Sequence, residues 1–245
     1  MTLMVGRQPI LDQNGVTYAY ELLYRGKDGN TFSNLHGDEA TSVVINNSFY
    51  NAEFGCVSSG KKSFINFTAQ LVIDEVWRIL PKQDVVIELL ENIDPTQELI
   101  QSVQKIKDHG YTLALDDFVY HQNLKPLIDL ADIIKVDIKH SDQSTVKKLA
   151  QIFLQQGKRL LAEKVETLQE FKECRSWGYT LFQGFFFARP ELIESKQNSE
   201  SKLSKLRLMQ KIHDPDIEYG ELVEVLKSDP SLTLKLLKYI NSVAM

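Results

Sequence analysis

Between Lys62 and Pro190 the sequence alternates short apolar runs with amphipathic stretches, and this alternation limits the available folds more than any other feature. The runs are residues 63–67, 85–90, 111–115, 133–136, 159–162 and 179–182. Each is short and rich in β-branched or aromatic side chains, which is the texture of a strand buried on both faces in a parallel sheet. Between them, apolar spacing predicts helices over 69–80, 96–109, 146–156 and 168–177. The first would bury Leu71, Val72, Val76 and Leu80, and the other three end at Gly110, Gly157 and Gly178. Strands alternating with helices at this pace imply βαβ units. A chain of 245 residues is also close to the roughly 250 of a (β/α)₈ barrel.

The two ends depart from this rhythm. Residues 4–11 and 16–25 flank Asp12-Gln13-Asn14-Gly15, whose Asn-Gly is a hairpin signal, so one strand is expected to run antiparallel. A helix-like stretch over 39–54 follows. After Pro190, residues 193–204 are polar and read as a linker or a solvated helix start. Residues 203–212, 221–226 and 232–240 read as short helices, too few to hold a core of their own. The expected division is a barrel over 1–195, a linker over 196–204 and a helical piece over 205–245.

Polar residues close the apolar runs. Asn66, Glu88, the pair Asp116-Asp117, Lys135 with Asp137, Glu163 and Gln183 stand at or near strand ends. In a (β/α)₈ barrel these ends form one rim, where active sites lie. So many carboxylates would repel one another, and divalent cations would resolve the repulsion. All-oxygen ligation favours Mg²⁺ or Mn²⁺ over zinc. Two such ions would activate a water for in-line displacement at phosphorus, with Lys135 placed to orient or deprotonate it. The plainer alternatives are helix caps or solvated loop ends: Asp137 could cap the next helix or pair with Lys135, and Gln183 could bond a loop backbone.

The motifs resemble those of EAL domains over residues 1–195: Gln8-Pro9-Ile10, Glu21-Leu22-Leu23 with Arg25, Asn66, Glu88 with Glu91, Asp116-Asp117-Phe118, Lys135-Val136-Asp137, Ala162-Glu163-Lys164-Val165-Glu166-Thr167 and Gln183-Gly184-Phe185 through Pro190. The resemblance implies a TIM-like (β/α)₈ barrel with one antiparallel strand, and hydrolysis of cyclic di-GMP to linear pGpG with Mg²⁺ or Mn²⁺. It implies metal ligation by Glu21, Asn66, Glu88, Asp116, Asp117 and Glu163, with Lys135, Glu163 and Glu21 carrying the catalysis. Gln8, Arg25, Asp137 and Gln183 would contact the nucleotide. Glu91 would anchor the loop after Asp117, and Glu166 would support the site from behind its ligands. Residues 205–245, with Ser228-Asp229-Pro230-Ser231-Leu232, Leu236-Leu237 and Asn241-Ser242, resemble the start of an HDOD domain. The implied partners are cyclic di-GMP, a second copy of the chain and proteins docking on the HDOD portion, most of which is absent from the sequence.

Two positions depart from the family pattern. The loop over 119–124 lacks the glycines that EAL enzymes carry after Asp-Asp-Phe, so it takes another path. Lys164 stands where glycine is common, and either pairs with a ligand carboxylate or points to solvent. The alternative functions are a module that binds cyclic di-GMP without cleaving it and a protein-interaction scaffold. The formal net charge of −5 argues against general nucleic-acid binding. No apolar run is long enough to span a membrane and no signal-peptide pattern opens the sequence, so a cytoplasmic protein is expected. Cys56 and Cys174 suggest neither a disulfide framework nor a zinc site.

Overall fold

The computed structural model describes residues 2–25, 41, 44–45, 58–90, 93–116, 122–140, 142–187 and 191–196, with backbone alone for 2–4, 24–25, 122 and 191–196. Eight strands close a barrel: β1 (Thr2–Asp12), β2 (Thr17–Arg25), β3 (Lys62–Phe67), β4 (Val85–Leu89), β5 (Thr112–Leu115), β6 (Ile133–Asp137), β7 (Arg159–Glu163) and β8 (Leu181–Phe182). Strands β2 to β8 follow one another in parallel. β1 fills the gap between β8 and β2 and is antiparallel to both. It is the antiparallel strand expected from the hairpin signal. The side chain of Asp12 organises the hairpin turn by accepting from the amides of Asn14 at 2.8 Å and Val16 at 3.0 Å.

Closure with a period of two separates the strand residues into two cores. Inside the barrel each strand contributes one side chain to an apolar floor: Ile10, Ala19, Phe64, Val86, Ala114, Ile133, Leu161 and Leu181. The outward residues, such as Ile65, Ile87, Leu113, Ile134 and Leu160, join the larger core beneath the helices. Those helices are α1 (Ala69–Ile73), α2 (Gln97–Asp108), α3 (Lys125–Leu130), α4 (Gln143–Gln155) and α5 (Leu168–Ser176). Local chemistry starts them: Thr96 caps α2 and Asp142 caps α4, while Thr167 and Glu170 form a capping box on α5.

Several elements differ from the sequence expectation. The helix expected over 69–80 breaks at Glu75, which adopts φ 55° before a 3₁₀ turn over Val76–Ile79. Lys105 and Arg78 both hold the Glu75 carboxylate, which fixes the break, while Leu71, Val72, Val76 and Leu80 stay buried as the spacing requires. Helix α3 was not foreseen, because a segment of only six residues with Pro126 in its first turn shows little periodicity. The expected linker begins instead as a ninth strand, β9 (Glu191–Lys196), which pairs antiparallel with Thr2–Arg7 of β1. Its polar residues suit an edge strand, where charge discourages further pairing. Of the expected helix over 39–54, Thr41, Val44 and Ile45 are helical and buried. The rest of that helix, and residues 197–245, lie outside the described residues.

The floor carries the layer above it. Phe64→Ala should lower stability by about 3–5 kcal/mol, measured by urea denaturation, with a parallel loss of order in the side chains at the barrel mouth.

Candidate active site

Two positions beyond each floor residue, toward the C-terminal ends of the parallel strands, the interior series continues with a polar side chain. Ala19 leads to Glu21, Phe64 to Asn66, Val86 to Glu88, Ala114 to Asp116, Ile133 to Lys135, Leu161 to Glu163 and Leu181 to Gln183. On β1, which runs the other way, Ile10 leads back to Gln8, paired in register with Glu21. One strand period therefore turns an apolar plug into a polar ring at the mouth.

Lys135 occupies the centre of this ring and is fully buried. Its Nζ donates to Glu88 and, at 2.6 Å, to Asp116 Oδ1. It lies 2.8 Å from Glu163 Oε1 and 3.9 Å from Glu21 Oε1. Glu21 also accepts from the amides of Gln183 and, weakly at 3.4 Å, Asn66. The backbone of Asn66 is held from outside by Thr41, whose hydroxyl donates to the Asn66 carbonyl at 2.7 Å.

One ammonium cannot neutralise four carboxylates. Burial pushes the carboxyls of Glu88 and Glu163 well above the ordinary range; Lys135 opposes the shift, and the Asp116 and Glu21 charges add to it. Burial alone would lower Lys135, but Asp116, Glu163, Glu21 and Glu88 outweigh it and raise the ammonium well above its usual value. The ring is thus a fixed cation among oxygens that compete for protons.

The buried oxygens test whether divalent ions fit. Asn66 Oδ1, Glu88 Oε2, Glu163 Oε2 and Gln183 Oε1 are buried without a hydrogen-bond donor. Acceptor oxygens left unpaired in a buried, acidic ring are the donor set of a hard cation. Among the described residues, no three carboxylate, His or Cys side chains are arranged around a point that a metal ion could fill. The carboxylates gather on Lys135 Nζ instead. The donor chemistry fits a hard divalent cation.

The remaining expected residues fall in several places. Asp137 faces the mouth one step above Lys135 and is 7% exposed; Lys164 and the Lys139 amide hold it, the latter at 2.7 Å. Glu166 is exposed and pairs with Lys139 at 3.1 Å. Gln8 is half-buried at ring level. Arg25 ends β2, with its side chain outside the described residues, as are Glu91, Asp117 and the loop over 119–121. The next residue after Gln183 is constrained by close approach: at Gly184, with φ 153°, a Cβ would meet the Val165 carbonyl oxygen at 2.1 Å. Sequence reasoning placed Glu21 and Gln8 only through resemblance, although counting by twos from Ala19 and Ile10 reaches both. A cleft of about 370 Å³ opens at the opposite end of the barrel. Its Lys107 and Asp132 pair, and its Arg159 stacks on Tyr18, so its charges are largely spent on one another.

Proton linkage gives a test. With raised folded values, Glu88 and Glu163 contribute stability below the usual value near 4.5, and it is lost as pH rises through their folded values. In chelator, thermal unfolding across a pH series should show a falling midpoint over that span. The double substitution Glu88→Gln and Glu163→Gln should flatten the fall; an unchanged slope would contradict the assignment.

Comparison with known proteins adds a family. The model of the EAL domain matches residues 58–190, more than half of the chain. Cyclic di-GMP phosphodiesterase CdgJ of Vibrio cholerae is 34% identical over 246 residues, covering 99% of this chain and 57% of CdgJ. YuxH of Bacillus subtilis is 35% identical over 99% of this chain and 60% of its own length. The chain therefore spans less than two thirds of these relatives. Among solved structures, the calcium and cyclic di-GMP complex of Klebsiella pneumoniae BlrP1 superposes with a TM-score of 0.64 at 23% identity, over 79% of this chain and 57% of that one. A standalone EAL protein from Vibrio cholerae O395, in its c-di-GMP-bound form, gives 0.60 at 25% identity, over 77% of this chain and 92% of that one. With its antiparallel first strand, its polar ring and its matched central segment, the chain belongs to the EAL domain family.

Proposed function

We propose that this chain hydrolyses cyclic di-GMP to linear pGpG by attack of water on one phosphodiester, with divalent cations held at the barrel mouth. The observation that carries the reading is the ring itself: buried acceptor oxygens of Asn66, Glu88, Glu163 and Gln183 without donors, gathered beside Lys135. The name of CdgJ and the cyclic di-GMP complexes of BlrP1 and the Vibrio cholerae EAL protein support the choice of substrate. A BlrP1 complex that carries manganese supports the choice of ion.

In this reading Glu21, Asn66, Glu88, Asp116, Asp117 and Glu163 hold Mg²⁺ or Mn²⁺. Such ions polarise phosphoryl oxygens and acidify bound water when present. Lys135, fixed by its carboxylates, aims a charged donor at the attacking water and stabilises the anion that develops from it. Glu163 and Glu21 orient Lys135 as well as offering oxygens. Gln183, whose amide bonds Glu21, leaves its carbonyl for the water or the nucleotide. Gln8, Arg25 and Asp137 receive the nucleotide at the rim, and Arg25 suits a phosphate. Glu91 anchors the loop after Asp117. Glu166, paired with Lys139, supports the site from behind its ligands.

Purified protein with Mg²⁺ or Mn²⁺ should convert cyclic di-GMP to the linear dinucleotide, and chelator should stop it. Lys135→Met should lower kcat by about 10²–10⁴-fold while the protein stays folded in the presence of the ion. No linear product at high enzyme concentration would defeat the proposal. A second reading, binding without cleavage, draws on the carboxylates being gathered on Lys135 Nζ. It predicts saturable binding of cyclic di-GMP by calorimetry with no turnover.

A further inference from the structure

Asp137 stands on the same inward-facing series as Lys135, opposite Glu163 in register, and belongs by position to the mouth. It is nevertheless already engaged. One oxygen accepts the Lys139 amide at 2.7 Å, and the other pairs with the ammonium of Lys164. His140 lies 3.7 Å from that second oxygen, with an exposed ring. Lys164 directly follows Glu163 and holds φ 58°, a region that L side chains rarely adopt. Its side chain is about half exposed, while that of Asp137 is almost covered. A left-handed backbone position therefore carries a long cation from the neighbouring strand to a carboxylate that would otherwise face the ring.

We infer that Lys164 is a positioning residue that reserves Asp137, withholding this carboxylate from divalent cations and so setting how tightly the mouth binds them. The inference rests on the divalent-ion reading of the ring. A cation gains most from oxygens whose charge is not already neutralised. Releasing Asp137 adds a carboxylate on the Glu163 side of the ring.

The experiment is titration of the metal-free chain with Mn²⁺ by calorimetry, without nucleotide. Lys164→Gln should tighten binding about 10-fold, in the range by which contacts around ligands tune metal affinity. Lys164→Arg, which keeps the pair, should match the parent. The same Lys164→Gln change in an Asp137→Asn background should have little effect, and Lys139→Gln should serve as a nearby charge control with no effect. Lys164→Asn, which tolerates the left-handed backbone, should behave like Lys164→Gln and exclude a purely conformational cause. Equal affinities for the parent and Lys164→Gln would overturn the inference while leaving the hydrolysis proposal standing. So would tightening that persists without the Asp137 carboxylate. Tightening through Asp137 in a chain that never cleaves cyclic di-GMP would uphold the inference and defeat the hydrolysis proposal. No Mn²⁺ binding by any form would remove both.

Discussion

The structure depends on a single ammonium surrounded by more negative charge than it can cancel. Lys135 draws Glu88, Asp116, Glu163 and Glu21 into one small volume, and the closed barrel keeps solvent from completing the neutralisation. Charge pairs in such a place are costly to assemble and gain little over apolar packing as a source of stability. Their presence is better explained by chemistry at the mouth. Raised carboxyls at Glu88 and Glu163, and donor-free oxygens on four side chains, are two expressions of the same unmet demand for positive charge.

Strand geometry makes that assembly possible. A floor of eight apolar residues seals the interior, and the next inward position on every strand becomes the site. Distant segments of sequence reach one ring without any long loop having to place them. Where more accuracy is needed, the backbone is tied down locally. Thr41 holds the Asn66 carbonyl, and the tight approach of Gly184 to Val165 fixes the peptide after Gln183.

Much of this could be read from the residues. The six apolar runs become strands because burial on both faces demands continuous hydrophobicity, and the polar residues at their ends converge because barrel strands end at one rim. Thr96, Asp142 and Thr167 cap their helices, and the Asp142 cap starts α4 three residues before the apolar spacing does. Other features depended on partners far away in sequence. The break at Glu75 is held by Lys105, thirty residues on, which no local pattern announces. The β9 segment looks like a linker because an edge strand needs no apolar face, and only β1 makes it a strand. Asp137 offered two plain alternatives, a cap or a partner for Lys135. It does bond a nearby amide, but its cation is Lys164, brought across from β7.

The ribbon formed by β1, β2 and β9 gives the barrel a lopsided rim. Gln8 and Glu21 lie at the level of the ring, yet β2 continues to Arg25 and β1 extends back to Thr2, where Lys196 of β9 lies alongside. At about 3.4 Å per residue, this ribbon continues for roughly 14–20 Å of strand beyond the carboxylates. Among the described residues, a visiting molecule meets this ribbon on one flank of the mouth. Because β9 runs along that ribbon, it ties the far end of β1, at Thr2, to Lys196 and braces the strand that carries Gln8 into the ring.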